Sequence, residues 1–310
     1  MKIIIDNTSS INETLKNLKS GDEIYLKKGI YNEKVTILND NIKITGEDKD
    51  ETIINNHDYF HKIMPDYNEC NTFRTYTVYA GGKNITIKNL TIKNSSIPAT
   101  KYGQAVALHA DSDNLLCENV NLYGEQDTLF TGPIPYFLRE RHKNFLDPIF
   151  MREYYAKQVY KNCDIYGNVD FIFGNATALF YKCNLHSLKQ DTSTHICGYI
   201  SAPSHEQNQE FGYLFLNCKL THDEGVNNVY LARPWGKYGN VAFIDNEIDS
   251  HINKEGFSVW IGKNRHQTAK FMEYGNYDVK DRASWSIILN EKEKNDYVEA
   301  FLKHINYTLD

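Results

Sequence analysis

The chain has 310 residues, 41% of them hydrophobic and 24% charged, with a formal net charge of −6 and a pI near 6.0. That is the composition of an ordinary soluble globular protein able to bury a long core, and with no basic block it argues against nucleic acid or an anionic membrane as partner. A negative protein is also a poor electrostatic trap for a polyanion, so a polymer whose carboxylates are masked as esters suits it better.

The chain begins Met1-Lys2-Ile3-Ile4-Ile5 and then Asp6-Asn7. This apolar run is too short for the h-region of a signal peptide, and no later stretch is long enough to span a membrane. The expected location is the cytoplasm, or outside the cell if a leader has been removed. Ser9-Ser10-Ile11-Asn12-Glu13 reads as a helix cap ahead of Leu15 and Leu18, predicting a short N-terminal helix that plugs the open end of whatever strands follow. His57 and His61 lie four apart, but no Glu follows His57, so the pair lacks the zincin pattern.

From residue 85 onward a degenerate phrase recurs, first as Ile85-Thr86-Ile87-Lys88-Asn89-Leu90-Thr91-Ile92 and then as Leu115-Leu116-Cys117-Glu118-Asn119-Val120-Asn121-Leu122. Further copies are anchored at Asn162, Lys182, Asn217 and Asn246. These are short runs of period two, rich in β-branched and aromatic residues and bounded by turn residues. Their spacing is too irregular for helical repeats and suits the coils of a parallel β-helix with loops of varying length. The fold expected is all-β, one parallel β-helix domain over residues 1–310, with no Pro-, Gly- or Ser-rich linker. Of six cysteines, Cys163, Cys183 and Cys218 share one phase of the repeat and read as an interior column of reduced thiols. No Cys-x-x-Cys occurs.

Polar clusters interrupt the apolar text at Gly103-Gln104-Ala105-Val106-Ala107-Leu108, at Glu125-Gln126-Asp127-Thr128-Leu129-Phe130 and at Gly167-Asn168-Val169-Asp170-Phe171-Ile172-Phe173-Gly174. An acid within apolar strand text must be paired or used. If the coils follow the repeat, these clusters fall on successive turns and their side chains converge on one face. Tyr230-Leu231-Ala232-Arg233-Pro234-Trp235-Gly236 adds an arginine, whose fork of donors can hold a carboxylate, and a tryptophan, a flat platform for a sugar. Singly, each has a plain structural use: Gln104 and Gln126 satisfying turns, Asp127 in an Asx-turn, Asp170 and Arg233 as a buried ion pair. Their conjunction points to catalysis.

In these phrases, and in Gly29-Ile30-Tyr31-Asn32-Glu33 near the start, the chain resembles the pectin methylesterase family of carbohydrate esterases over residues 8 to 290 or so. The Gln126-Asp127-Thr128-Leu129 and Asp170-Phe171-Ile172-Phe173-Gly174 phrases are specific; Gly-x-Tyr-x-Glu alone is weak. The resemblance implies a right-handed β-helix and a carboxylic ester hydrolase acting on methyl-esterified galacturonan or oligogalacturonides as a monomer, without metal or cofactor. It assigns Asp170 as nucleophile, Asp127 as general acid and base, and Gln104 and Gln126 as donors to the oxyanion. Arg233 orients the nucleophile, and Trp235 and Phe171 contact substrate.

Departures from the family pattern are Glu125, Asn168 and Ala232, none of which removes a catalytic group. The interval from Asp127 to Asp170 is also longer than the plant enzymes lead one to expect. The excess, Gly132 to Lys157, is expected to leave the coil beside the catalytic strand and wall one end of the cleft. The rival readings are a β-helical galacturonan glycosidase or lyase and an inactive sugar-binding β-helix. A serine esterase fits poorly, because Gly256-Phe257-Ser258-Val259-Trp260 lacks the second glycine of a nucleophile elbow.

Overall fold

The computed structural model describes residues 1–66, 68–144, 146–190, 198–276 and 280–309. It is a right-handed parallel β-helix whose strands stack in three columns. The first column runs from Lys2–Ile5 and Glu23–Leu26 to Lys270–Tyr274, the second from Gly29–Asn32 to Glu247–Ile248, and the third from Val35–Ile37 to Val229–Ala232. Thr86–Asn94 and Leu115–Tyr123 run through both the first and second columns, bending at Asn89 and Asn119.

The recurring asparagine is the bend. Asn89, Asn119, Asn162, Lys182 and Asn217 all take left-handed backbone, with φ between 52° and 57°, a conformation that asparagine tolerates better than most residues. In the next coil the equivalent residue is Asp245 (φ 53°), one before the Asn246 that the repeat singles out, because Leu216 pairs with Ile244. Both residue types suit such a bend, so the sequence alone does not choose between them.

The residue after each bend points inward, apolar at Leu90 and Val120, and from Cys163 onward it closes a hydrogen-bond ladder. The Cys163 thiol donates to the Cys117 carbonyl (3.5 Å), Cys183 to Tyr160 (3.3 Å) and Cys218 to Phe180 (3.3 Å). The side-chain amides of Asn246 and Asn276 donate to Phe215 (3.2 Å) and Phe243 (3.0 Å) in the two following coils. Each donor reaches a carbonyl of the preceding coil at the same relative position, so the cysteine column does more than fill volume. All three thiols are free and about 1% exposed. Cys197 lies outside the described residues.

The predicted N-terminal helix is Ile11–Leu15, with Ser10 as its cap and Ile11 and Leu15 buried in the core. Glu33 of the Gly29–Glu33 phrase accepts from the Ser10 hydroxyl (2.6 Å) and the Ile11 amide (2.8 Å), while the buried Tyr31 hydroxyl donates to Lys27 O (2.8 Å). That phrase therefore seals the end of the coil. The repeat analysis did not find the helix Glu291–Ile305, although its capping box, Asn290 with Glu293, is legible in the sequence. Its Phe301 and Ile305 cover the outer face of the first column against Leu214 and Ala242.

Alkylation of the native protein should leave Cys163, Cys183 and Cys218 unmodified, and all three should react after unfolding without reductant. Mass spectrometry of the labelled peptides reads this out; a disulfide among them would break the ladder.

Candidate active site

The third column carries the predicted catalytic residues. Leu129–Thr131 pairs with Val169–Gly174 through Leu129 and Ile172, which places Asp127 and Asp170, each two residues earlier, at equivalent positions on adjacent coils. The Asp127 amide donates to Val169 O at 3.1 Å, so the coils remain bonded at this level. Adjacent strands lie about 4.8 Å apart, and that spacing brings the two carboxyls into one cleft. Both aspartates have left-handed backbone, φ 63° at Asp127 and 50° at Asp170. This is strain of roughly 1–3 kcal/mol each that the surrounding structure must hold.

The bend at Asp170 shifts the phase of its strand. The pairing with Gly198–Pro203 slips between Val169 and Ile172, so Phe171 and Ile172 both enter the interior while Asp170 and Phe173 face the cleft. Phe171, implied by the resemblance to touch substrate, is fully buried and cannot do so. Phe173 lines the cleft instead and meets the edge of Trp235 at 5.6 Å.

Arg233 follows the strand Val229–Ala232 and grips Asp170 with two parallel bonds, Nε to Oδ1 at 2.8 Å and Nη2 to Oδ2 at 2.7 Å. Its guanidinium lies 3.8 Å from the centre of the Tyr199 ring and 4.5 Å from that of Trp260. Aromatic faces on the cation hold it in place where water is scarce. Burial pushes the Asp170 carboxyl above the usual range, and Arg233 pulls it part of the way back. Burial raises Asp127 further, the charge of Asp170 adds to the rise, and Arg233 opposes it from a greater remove. The two acids are thereby separated, with Asp170 the one that ionises first.

Gln104, Gln126, Asp127, Asp170, Arg233 and Trp235 all line one cavity of about 390 Å³. Of the predicted site residues only Phe171 lies elsewhere. The cavity also takes in Leu138 and His142 of the insertion, together with Phe73 and Trp260, whose surrounding sequence carries no polar signal. Trp260 sits in the very phrase inspected for a serine nucleophile; its signal was the aromatic, not the serine.

Two of the departures from the family pattern answer each other. Asn168 Nδ2 donates to Glu125 Oε2 (3.3 Å), the Asn168 amide donates to Glu125 O (2.9 Å), and the Ala99 amide donates to the same carboxylate (2.5 Å). Glu125 precedes Gln126 and Asp127, and Asn168 stands two residues before Asp170, so the pair clamps the two catalytic coils together from outside the cleft.

The insertion leaves the coil after Thr131, forms the helix Tyr136–His142 and the turn Pro148–Phe150, and returns at Lys157–Lys161. Leu138 and His142 form part of the cleft lining, as expected of a wall. A buried network pins it: Phe150 stacks on His109 at 4.7 Å, His109 Nε2 and Asp111 Oδ1 are 3.0 Å apart, and the Tyr79 hydroxyl donates to Asp111 Oδ2 (2.9 Å) and Ile149 O (2.8 Å).

A parallel β-helix with stacked aspartates, one gripped by arginine, is a recognisable class of protein. The pectinesterase family model matches residues 5–150 and 136–304, and the chain belongs to that family. Pectinesterase 31 of Arabidopsis thaliana is 31% identical over 232 residues, covering 73% of this chain and 63% of the relative. The chain spans about half the length of most other curated relatives it matches, 47% and 44% for two of them. Among solved structures, pectin methylesterase from Yersinia enterocolitica superposes with a TM-score of 0.76 at 27% identity, over 93% of this chain and 96% of its own. A pectin methylesterase in complex with a hexasaccharide gives a TM-score of 0.80 at 24% identity, over 99% and 98%.

Because the folded state holds Asp127 above its ordinary value of 3.8, it resists ionising a group that the unfolded chain ionises freely. The sign follows: the penalty is absent below about pH 3.8, grows as pH rises toward the folded pKa and then levels off. Asp127→Asn should therefore melt at a higher temperature than wild type at pH 7, and the gain should vanish as the pH falls below 3.8; thermal melts across that range check it.

Proposed function

We propose that this chain hydrolyses the methyl esters of galacturonate units in pectin or pectic oligomers, releasing methanol. The observation that carries this reading is the buried pair of stacked aspartates, one gripped by a two-pronged arginine and the other without that grip and pushed the further above its ordinary pKa by burial, with two glutamine amides in the same cleft. Membership of the pectinesterase family supports it, as does the hexasaccharide bound to a structural neighbour.

Each group has one task. The Asp170 carboxylate, aimed by Arg233, attacks the ester carbonyl carbon, and the carbonyl electrons move onto oxygen. The Gln104 and Gln126 amides donate to that oxyanion without ionising. The tetrahedral intermediate collapses as Asp127 gives its proton to the methoxy oxygen, so methanol leaves and an acyl–Asp170 anhydride remains. Asp127, now ionised, takes a proton from water as the water attacks the acyl carbon. Cleavage of the anhydride frees the galacturonate carboxyl and regenerates Asp170. Trp235 and Phe173 offer apolar ring surface beside the reacting ester.

Asp170→Asn keeps shape but removes the attacking charge, and Asp127→Asn removes the proton donor. Each should lower kcat/KM for methanol release by at least about 10²–10⁴-fold while circular dichroism shows an intact fold. The double variant should be little worse than the poorer single, since both groups act in one pathway. Gln104→Ala should cost less than either. A folded Asp170→Asn that keeps more than roughly a tenth of wild-type activity sinks the mechanism. New reducing ends or unsaturated sugars in place of methanol would assign the cleft to a glycosidase or a lyase.

The same division of charge governs the pH profile. Activity needs Asp170 ionised and Asp127 protonated, so kcat/KM should be bell-shaped with both limbs above the ordinary carboxylate range. Arg233 lowers the Asp170 pKa, so Arg233→Gln should move the acidic limb to higher pH as well as reduce the maximum. An acidic limb that stays where it was would detach Arg233 from the ionisation of Asp170.

A further inference from the structure

A second cavity, of about 600 Å³, lies across the insertion from the catalytic cleft. The helix Tyr136–His142 divides the two spaces. Leu138 and His142 border the cleft, whereas Tyr136 and Arg139 border the second cavity. Asn175, immediately after the catalytic strand Val169–Gly174, contributes to its lining. From Asp170 to Asn175 is five residues of nearly extended chain, about 16 Å. The cavity is therefore within reach of a sugar chain whose reacting unit sits at Asp170.

Its lining has the chemistry of a carbohydrate site. Tyr136 and Tyr155 are 58% and 46% exposed and Tyr238 adds a third aromatic, ring surface of the kind that stacks on sugars, with the Arg139 guanidinium 5.7 Å from the centre of the Tyr136 ring. Hydrogen-bonding capacity is left unspent. Asn175 is only 3% exposed and its Oδ1 has no partner; Arg139 Nε is likewise buried and unpartnered. The Glu153 carboxylate stands 3.9 Å from the Arg139 guanidinium and is itself 87% exposed. Buried polar groups without partners are uncommon in native proteins; these two atoms have almost no accessible surface, so a polyhydroxylated ligand engages them only when their side chains turn toward the cavity.

The charges choose the form of the sugar. Arg139 is set against Glu153 and Glu206, so the cavity is net acidic and disfavours a free carboxylate. We infer that this cavity is an accessory binding site for a methyl-esterified stretch of the galacturonan chain whose other end occupies the catalytic cleft. This rests on the esterase reading given above. The site raises affinity for chains long enough to cross the insertion and leaves the chemistry at Asp170 untouched.

The test compares Arg139→Ala and Tyr155→Ala with wild type on methyl-esterified oligogalacturonides of graded length, following methanol release. Tyr155 is half exposed, and its hydroxyl bonds to Asn208 Oδ1 (2.9 Å) at the surface, so its removal spares the fold even if loss of Arg139 disturbs the insertion. Both variants should match wild type on the shortest oligomers that are turned over. On longer ones kcat/KM should fall roughly three- to tenfold through KM, the size expected for loss of one stacked aromatic contact. A fully de-esterified oligomer added as competitor should inhibit wild type and Tyr155→Ala equally. A length profile identical to wild type in both variants, or an equal loss at every length, would overturn the accessory site. Weaker inhibition of Tyr155→Ala by the de-esterified chain would overturn its preference for the ester. Wild-type protein that releases no methanol at any length would instead overturn the esterase reading itself, a different result from any of these.

Discussion

The site depends on the spacing between two rungs of a sheet. Asp127 and Asp170 are far apart in sequence, yet they occupy one position on adjacent coils because Leu129 stacks on Ile172. The distance between their backbones is thus the inter-strand repeat, which the ladder of hydrogen bonds along the whole β-helix holds fixed. Chain length between coils is then free to vary. The insertion from Gly132 to Lys157 carries a helix and a buried histidine–aspartate–tyrosine network, and the strands on either side of it still stack in register. The architecture lets a loop reshape the cleft wall without moving either catalytic carboxyl.

Placing two carboxyls one rung apart in a buried cleft is unfavourable, and function follows from how that cost is distributed. A second ionised carboxylate at this distance is opposed by both burial and repulsion. Arg233 relieves Asp170 more than Asp127, since both prongs of its fork go to Asp170. Tyr199 and Trp260 fix the plane of the guanidinium, so the asymmetry is built into the scaffold before substrate arrives. Asp127 has no such partner and stays protonated to a higher pH. Two identical side chains on equivalent positions thus acquire different affinities for a proton, distinguished by a neighbour from a later coil.

Much of this was legible in the sequence, for identifiable reasons. Period-two strand text and recurrent asparagines revealed the coils, because the left-handed bend admits few residue types. The buried acids stood out against apolar neighbours. What the text hid was phase. The bend at Asp170 puts Phe171 and Ile172 on the same side, so strict alternation fails at that residue and the aromatic facing the cleft becomes Phe173. The one-residue error at Asp245 has the same origin. Trp260 and Tyr199 escaped because each reaches the site from a coil or loop whose own text carries no polar anomaly. Glu125 and Asn168 looked like unrelated departures; only stacking shows them to be partners.

One local device serves both the scaffold and the chemistry. Most non-glycine residues with left-handed backbone are asparagines at the corners of the coil, and several bond to one another between coils, as Asn84 does to Asn41 and Asn119 to Asn89 (both 2.7 Å). Neutral amides satisfy each other in this way without titrating. Among the described residues three aspartates share the conformation: Asp127, Asp170 and Asp245. Asp245 is partly exposed and paired with Lys294 at 3.3 Å, so its charge is accommodated at the surface. The other two are buried at the cleft. The bend that turns the chain elsewhere here turns an ionisable side chain outward from a strand that would otherwise hide it. A chain that already repeats this bend at every corner needs only an acid in place of an amide, and a cleft above it, to present a carboxylate where an ester can be bound.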